Sequence, residues 1–257
     1  MKLSAEQIAS NWEKLIKVIE GFSGDRRDKL LQFYKKYEDR LIMMPAANKR
    51  EYHGAFPGGY VAHVLNVIKN SNLLYDVWKT AGADLTTFTK EELIFSALNH
   101  DLGKMGDSEF EAYIPQTDSW RKEKLGEDYM FNKNLPFASV PDRGLFMLQS
   151  HGISYSFNEM IAIQTHDGLY DEANKKYLQT FMPEQKPRTN IVYILHQADL
   201  MAARIEFEQE WMGEFSKNNL EKKEGNGKLK QTPKKTDKAL GSIQSKNLTD
   251  FLSNITE

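Results

Sequence analysis

The chain has 257 residues, 40% of them hydrophobic and 27% charged, with a formal net charge of −2 and no cysteine. This is enough for a well-filled domain with an appendage, and it excludes disulfides, thiolate metal sites and a global polybasic surface for nucleic acid or membrane. No stretch approaches the roughly 18 uninterrupted apolar residues of a membrane span, and the opening Met-Lys-Leu-Ser-Ala-Glu-Gln lacks the apolar run of a secretory signal, so a soluble, cytoplasmic protein is expected.

Ser4 and Gln7 form a capping-box pattern ahead of Ile8, Trp12, Leu15, Ile16 and Ile19, whose spacing predicts a helix ending at Gly21. A second helix is expected from about Asp25 to Leu41, with Leu30, Leu31, Phe33 and Tyr34 on its apolar side. Pro57-Gly58-Gly59 breaks the chain; Val61, Val64, Leu65, Ile68 and Leu74 then stripe a long helix that Gly82 stops. Thr89 and Glu92 cap the next helix, whose apolar face runs straight into His100 and Asp101. Residues 106–141 are polar and aromatic and read as an insertion folded over a cleft, with a small β-hairpin around Leu125-Gly126-Glu127-Asp128.

Two short helices follow and carry His151 and His166, the second capped by Ser156 and Glu159. A long helix begins after Pro187 and is expected to reach about Phe215. Residues 217–239 mix lysines with Gly225, Gly227 and Pro233 and read as a disordered Lys-rich linker, while 240–257 form a short amphipathic segment. A solubilising role is the default for this flexible tail; contact with nucleic acid or a partner protein is the alternative. The fold expected is all-α: one helical bundle over 1–216 with a cleft insertion.

All six histidines fall between His53 and His196. Four stand in phrases that read as metal ligands: Gly-Gly-Tyr-Val-Ala-His63, Asn-His100-Asp101-Leu-Gly-Lys104, Gln-Ser-His151-Gly and Gln-Thr-His166-Asp167-Gly. His196-Gln-Ala-Asp199 adds a carboxylate. Imidazoles and carboxylates without thiolates point to one or two hard or borderline divalent ions. Two such ions about 3.5–4 Å apart would clamp the attacking and leaving oxygens of an in-line phosphoryl displacement.

Around this set, Lys104 stands one turn after His100 and is expected to neutralise a substrate phosphate. His196, three residues before Asp199, is a partner of a ligand, a substrate contact or simple packing. Arg121 and Lys122 beside Trp120 would hold phosphate while the ring stacks a base, unless the cluster is merely solvated. Asp167 orients a ligand, accepts a proton or serves the turn before Gly168; His53 faces the cleft or, by preference, is a loop histidine, and Arg204 reads as a surface ion-pair residue.

At these residues the chain resembles the HD-domain metal-dependent phosphohydrolase superfamily. The family order is a His on one helix, a His-Asp pair on the next and a final Asp on a later helix, which His63, His100, Asp101 and Asp199 match. The resemblance covers roughly Tyr52 to Glu206 and implies an HD-like bundle with those four residues as ligands. His151 and His166 are similar to the extra ligands of the two-metal branches, which include cyclic-dinucleotide phosphodiesterases and a group of 3′–5′ exoribonucleases. The chain departs from those branches in having His166-Asp167 where a His-His doublet is common, and in lacking Gly-Tyr-Pro, so neither branch supplies the substrate.

The resulting expectation is hydrolysis of a phosphoester in a nucleotide or short oligonucleotide by metal-activated hydroxide, with Asp101 and Lys104 as catalytic residues. Mn or Fe is favoured, and Mg, Co and Ni are compatible. The alternatives are a phosphodiesterase acting on cyclic dinucleotides or on RNA or DNA 3′ ends, and a non-catalytic nucleotide-sensing module.

Overall fold

The computed structural model describes residues 3–212. Helix α1 (Ala5–Glu20) begins with the expected reciprocal cap, in which Gln7 N donates to Ser4 Oγ and Ser4 N donates to Gln7 Oε1, and it buries Trp12, Leu15 and Ile19. The expected second helix is two, α2 (Gly24–Lys36) and α3 (Glu38–Met43), because Tyr37 leaves helical geometry at φ −109°, ψ 18°. The break lets both Tyr37 and Leu41 reach the interior, so packing overrides a continuous periodicity.

Four helices make the centre. α4 (Gly59–Thr80) packs on α5 (Lys90–Asn99), α5 on α8 (Phe157–Thr165), α8 on α10 (Ile191–Phe207), and α10 closes the ring on α4. Their facing positions are apolar and buried: Val64 and Val67 from α4, Phe95 and Leu98 from α5, Ile161 and Ile163 from α8, Ile194 and Leu195 from α10. The predicted capping boxes at Thr89/Glu92 and Ser156/Glu159 both form. α1 packs along α4, and α7 (Val140–Ser150) covers a 3₁₀ turn at Leu102–Met105 that directly follows α5.

The insertion carries a two-stranded antiparallel sheet, β1 (Tyr113–Pro115) and β2 (Tyr129–Phe131), with Tyr113 opposite Phe131. Leu125-Gly126-Glu127-Asp128 is not its turn. A short helix, α6 (Ser119–Leu125), sits between the strands, capped by Asp118 accepting from Arg121 N and ended by Gly126 at φ +62°. An acidic N-cap and a left-handed glycine suit a helix better than a two-residue turn. The helix α9 (Lys175–Leu178) interrupts the connection to α10, and a π-helical turn, Glu208–Met212, follows α10. The predicted continuation to Phe215, the 217–239 linker and the 240–257 segment lie outside the described residues. Among the described residues, no helix is long and apolar enough to cross a membrane.

Candidate metal centre

The ring of four helices converges on one polar cluster. His63 lies on the second turn of α4, His100 caps the C-terminus of α5 with Asp101 beside it, His166 caps the C-terminus of α8, and Asp199 sits within α10. His63, His100 and His166 are at most 1% exposed and Asp101 4%. Asp199 Oδ1 is 3.1 Å from His63 Nε2 and 3.7 Å from His100 Nε2. Asp101 lies 3.5–3.7 Å from the Nε2 atoms of His63, His100 and His166.

Hydrogen bonds on the far side of each ring set its tautomer. The Nδ1–H of His100 donates to the Ala97 carbonyl at 2.8 Å, and that of His166 to the Ile163 carbonyl at 2.7 Å. A carbonyl can only accept, so in each neutral imidazole Nε2 carries the lone pair. His63 reaches the same state through Glu206, whose Oε2 accepts from Nδ1 at 2.9 Å while Oε1 accepts from Asn66 at 2.6 Å. His63 Nε2 and His100 Nε2 are buried without an aligned hydrogen-bond partner in the described residues. A buried polar atom left in that state costs about 1–3 kcal/mol, and two of them facing carboxylates could be satisfied by a cation among them or by protons.

The charge balance agrees. With neutral imidazoles, the carboxylates of Asp101, Asp167, Asp199 and Glu206 share the Lys104 ammonium, 2.6 Å from Asp101 Oδ2. The negative surplus suits a divalent cation, and four overlapping donor groups (His53/His63/Glu206, His63/His100/Asp199, His100/Asp101/His166 and His166/Asp167/Asp199) could hold one. Without a cation, protons take its place. Burial works against a charged His63, yet Glu206 and Asp199 outweigh it and lift its pKa to about 10. His166 rises to about 9 for the same reasons, through Asp101 and Asp167. Burial likewise opposes ionisation of Asp101 and Asp199, but Lys104 and His100 for the first, and His63 and His100 for the second, hold both well below the usual carboxylate range.

His151 is a correction to the expected ligand set. It caps α7 with Nδ1 on the Met147 carbonyl at 2.9 Å, but its Nε2 meets Tyr37 Oη at 3.2 Å and Lys36 Nζ at 3.3 Å, and its ring stands edge-on to Phe33. It is absent from every donor group. Arg121 is likewise spent elsewhere, 2.6 Å from Glu127 Oε2, and Lys122 belongs with it on α6; neither lines the cleft that the cluster reaches through Asp199. Lys104, Asp167, His196 and Asp199 do line it. His196 Nδ1–H donates to the His166 carbonyl at 2.8 Å and so ties the end of α8 to α10. Gly168, at φ +57°, lies so close to that ring that a Cβ there would strike it.

Glu206 was missed, and the cleft-facing alternative for His53 is the one realised: it stays on a loop but lines the cleft, its ring tilted against His63 with centroids 4.3 Å apart. It gets there because Gly59 lies against the Gly54 backbone so tightly that any Cβ would collide. Burial and the positive neighbours His63 and Lys104 push the His53 pKa down to about 3, so the ring is neutral. Nothing local in the sequence announces that contact. Glu206 had a signal: it follows Asp199 by seven residues, two helical turns along the same buried face of α10.

Searches of family models, of curated proteins and of solved structures return no match to this chain. The site therefore stands on its own geometry. The cleft beside it has a volume of about 700 Å³, and its lining includes Lys104, Asp199 and the rings of Tyr113, Phe131 and Tyr52.

Proposed function

We propose that the chain is a metal-dependent phosphohydrolase of the HD type, acting on a phosphoester in a nucleotide or short oligonucleotide. The observation that carries this reading is a set of buried imidazoles whose Nε2 lone pairs converge with Asp101 and Asp199, next to a lysine that faces an open cleft. The order His63, His100-Asp101, Asp199 resembles the superfamily's, and the proximity of these four residues supports the reading. His63, His100, Asp101 and Asp199 would hold the first ion; His166 with Asp167 offers a place for a second, and His151 takes no part. The mixed imidazole and carboxylate donors favour Mn or Fe.

A divalent ion held there supplies Lewis acidity towards phosphoryl oxygen and acidifies water. The chain's own residues do the rest. Lys104, one helical turn from His100 and lining the cleft, places a fixed positive charge where the non-bridging oxygens of a phosphoryl group would lie. Burial and Asp101 act on it in opposite directions, and the attraction of Asp101 prevails, so it stays protonated at neutral pH. His196 lines the same cleft and fixes the His166 backbone.

The test is metal content of freshly purified protein, read together with a panel of nucleotides, cyclic dinucleotides and short oligonucleotides analysed by product mass. Hydrolysis that requires metal and is lost in Asp101→Ala is the expected result. Metal-loaded protein that cleaves nothing in the panel rejects the reading, and tight nucleotide binding without turnover in any metal would replace it with a sensing module.

A further inference from the structure

We propose that the cleft's hairpin wall is a nucleobase subsite, in which the base of a nucleoside phosphate stacks on Phe131 beside Tyr113 while its phosphate points towards Lys104. This rests on the phosphohydrolase reading for the phosphate end alone.

Lys104 and Asp199 line the cleft together with the rings of Tyr113, Phe131 and Tyr52, and Tyr113 is close enough to Lys104 for each to feel the other's charge. A volume of about 700 Å³ lies within the roughly 300–1,000 Å³ of small-molecule sites. Phe131 is 61% exposed and Tyr52 52% exposed, so large ring surfaces are left open in a cleft that also holds Lys104, Asp167 and Asp199. Cross-strand pairing explains their placement: Tyr113 and Phe131 are register partners, and their rings lie 5.1 Å apart with a 40° tilt.

The platform is also braced. Arg50 N donates to the Gly126 carbonyl at 2.9 Å, and Tyr129 N to the Asn48 carbonyl at 3.2 Å. Arg50 grips Asp128 through both carboxylate oxygens at 2.7 and 2.6 Å, and Lys49 meets Glu127 at 3.2 Å. These bonds lock the hairpin to the segment that carries Tyr52 and His53, so two lining segments of the cleft are fixed to each other before any ligand arrives. A flat aromatic group with an anionic end fits such a space; an acyl chain would not use the rings, nor would a bare sugar phosphate. Trp120, the stacking residue suggested by the sequence, does not line the cleft.

The test is calorimetric binding of AMP, ribose 5-phosphate and the dinucleotide ApA to the full chain in excess chelator, where no turnover intrudes. Wild-type protein is expected to bind AMP at least tenfold more tightly than ribose 5-phosphate. Phe131→Ala should weaken AMP by roughly ten- to hundredfold and leave ribose 5-phosphate unchanged, since stacking is worth ~1–3 kcal/mol per base, and Phe131→Trp should retain AMP. ApA tighter than AMP would place the end of a strand on the platform, and equal binding a free nucleotide. No detectable AMP binding, equal affinity for AMP and ribose 5-phosphate, or equal losses of both in Phe131→Ala would overturn the subsite. Binding without later hydrolysis would instead count against the phosphohydrolase reading.

Discussion

Removing Glu206 tests the centre through a residue that the superfamily pattern does not include. Glu206 is 7% exposed and accepts from two buried donors, His63 Nδ1–H at 2.9 Å and Asn66 Nδ2 at 2.6 Å. Glu206→Ala strands both, at about 1–3 kcal/mol each, and frees His63 to rotate or change tautomer. Loss of an outer partner that orients a ligating histidine weakens metal binding by about 10- to 100-fold. Glu206→Gln retains one acceptor and presents an amide donor to the other partner, so it should fall between wild type and Glu206→Ala. Asn66→Ala in that background removes the donor–donor conflict and should recover part of the affinity. Competition against a chromogenic chelator gives the affinities, and thermal melting in chelator separates them from loss of fold. If Glu206→Ala binds metal as wild type does while remaining folded, His63 Nε2 is not a ligand and the orienting argument is wrong.

His166→Ala should lower metal content sharply while His151→Ala leaves it unchanged, measured by elemental analysis; equal losses would mean the two histidines share a site after all. In the cation-free protein, the pKa values of about 10 for His63 and about 9 for His166 exceed the ordinary 6.5, so protonation of these rings favours the fold. That contribution is complete below pH 6.5 and is lost as pH rises through 9 and 10, visible as a falling melting temperature in chelator. Metal must displace the same protons, so its apparent affinity should rise with pH by up to about tenfold per unit for each proton released. Arg26→Met removes the partner 2.6 Å from fully buried Glu159 and should cost about 3–5 kcal/mol in denaturant unfolding. Burial already raises the Glu159 pKa against the pull of Arg26, so the loss should shrink at lower pH as the carboxyl protonates.

Much of the framework was legible in the sequence because it is written in local chemistry. The capping boxes at Ser4, Thr89 and Ser156 each fix a helix start with side chains three residues apart, and each formed. The stripe of α4 declared which face packs: Val61, Val64 and Ile68 are buried. What escaped depends on contacts between distant segments. Tyr37 breaks the expected second helix, and the hairpin holds a helix between its strands. His53 reaches His63 only through the Gly54–Gly59 approach, which no spacing rule encodes. Glu206 lay within reach of the same-face spacing that relates His196 to Asp199, but an isolated glutamate in a charged stretch looks like solvent surface.

His151 shows why ligand sets cannot be read from histidine phrases alone. His100, His151 and His166 each cap a helix C-terminus, and each turns Nδ1 back to a carbonyl of the last turn. This fixes the same Nε2-outward tautomer three times from the same local geometry. Whether the lone pair then serves a cation is decided by what the helix end faces. The ends of α5 and α8 open onto Asp101 and Asp199. The end of α7 opens onto the Tyr37 hydroxyl and Lys36, which satisfy Nε2 with protons. The capping device thus supplies oriented imidazoles, and the carboxylates select which of them form a centre. It follows that the double substitution Tyr37→Phe and Lys36→Met should leave His151 Nε2 without a partner yet still recruit no metal, because no carboxylate accompanies it in any donor group.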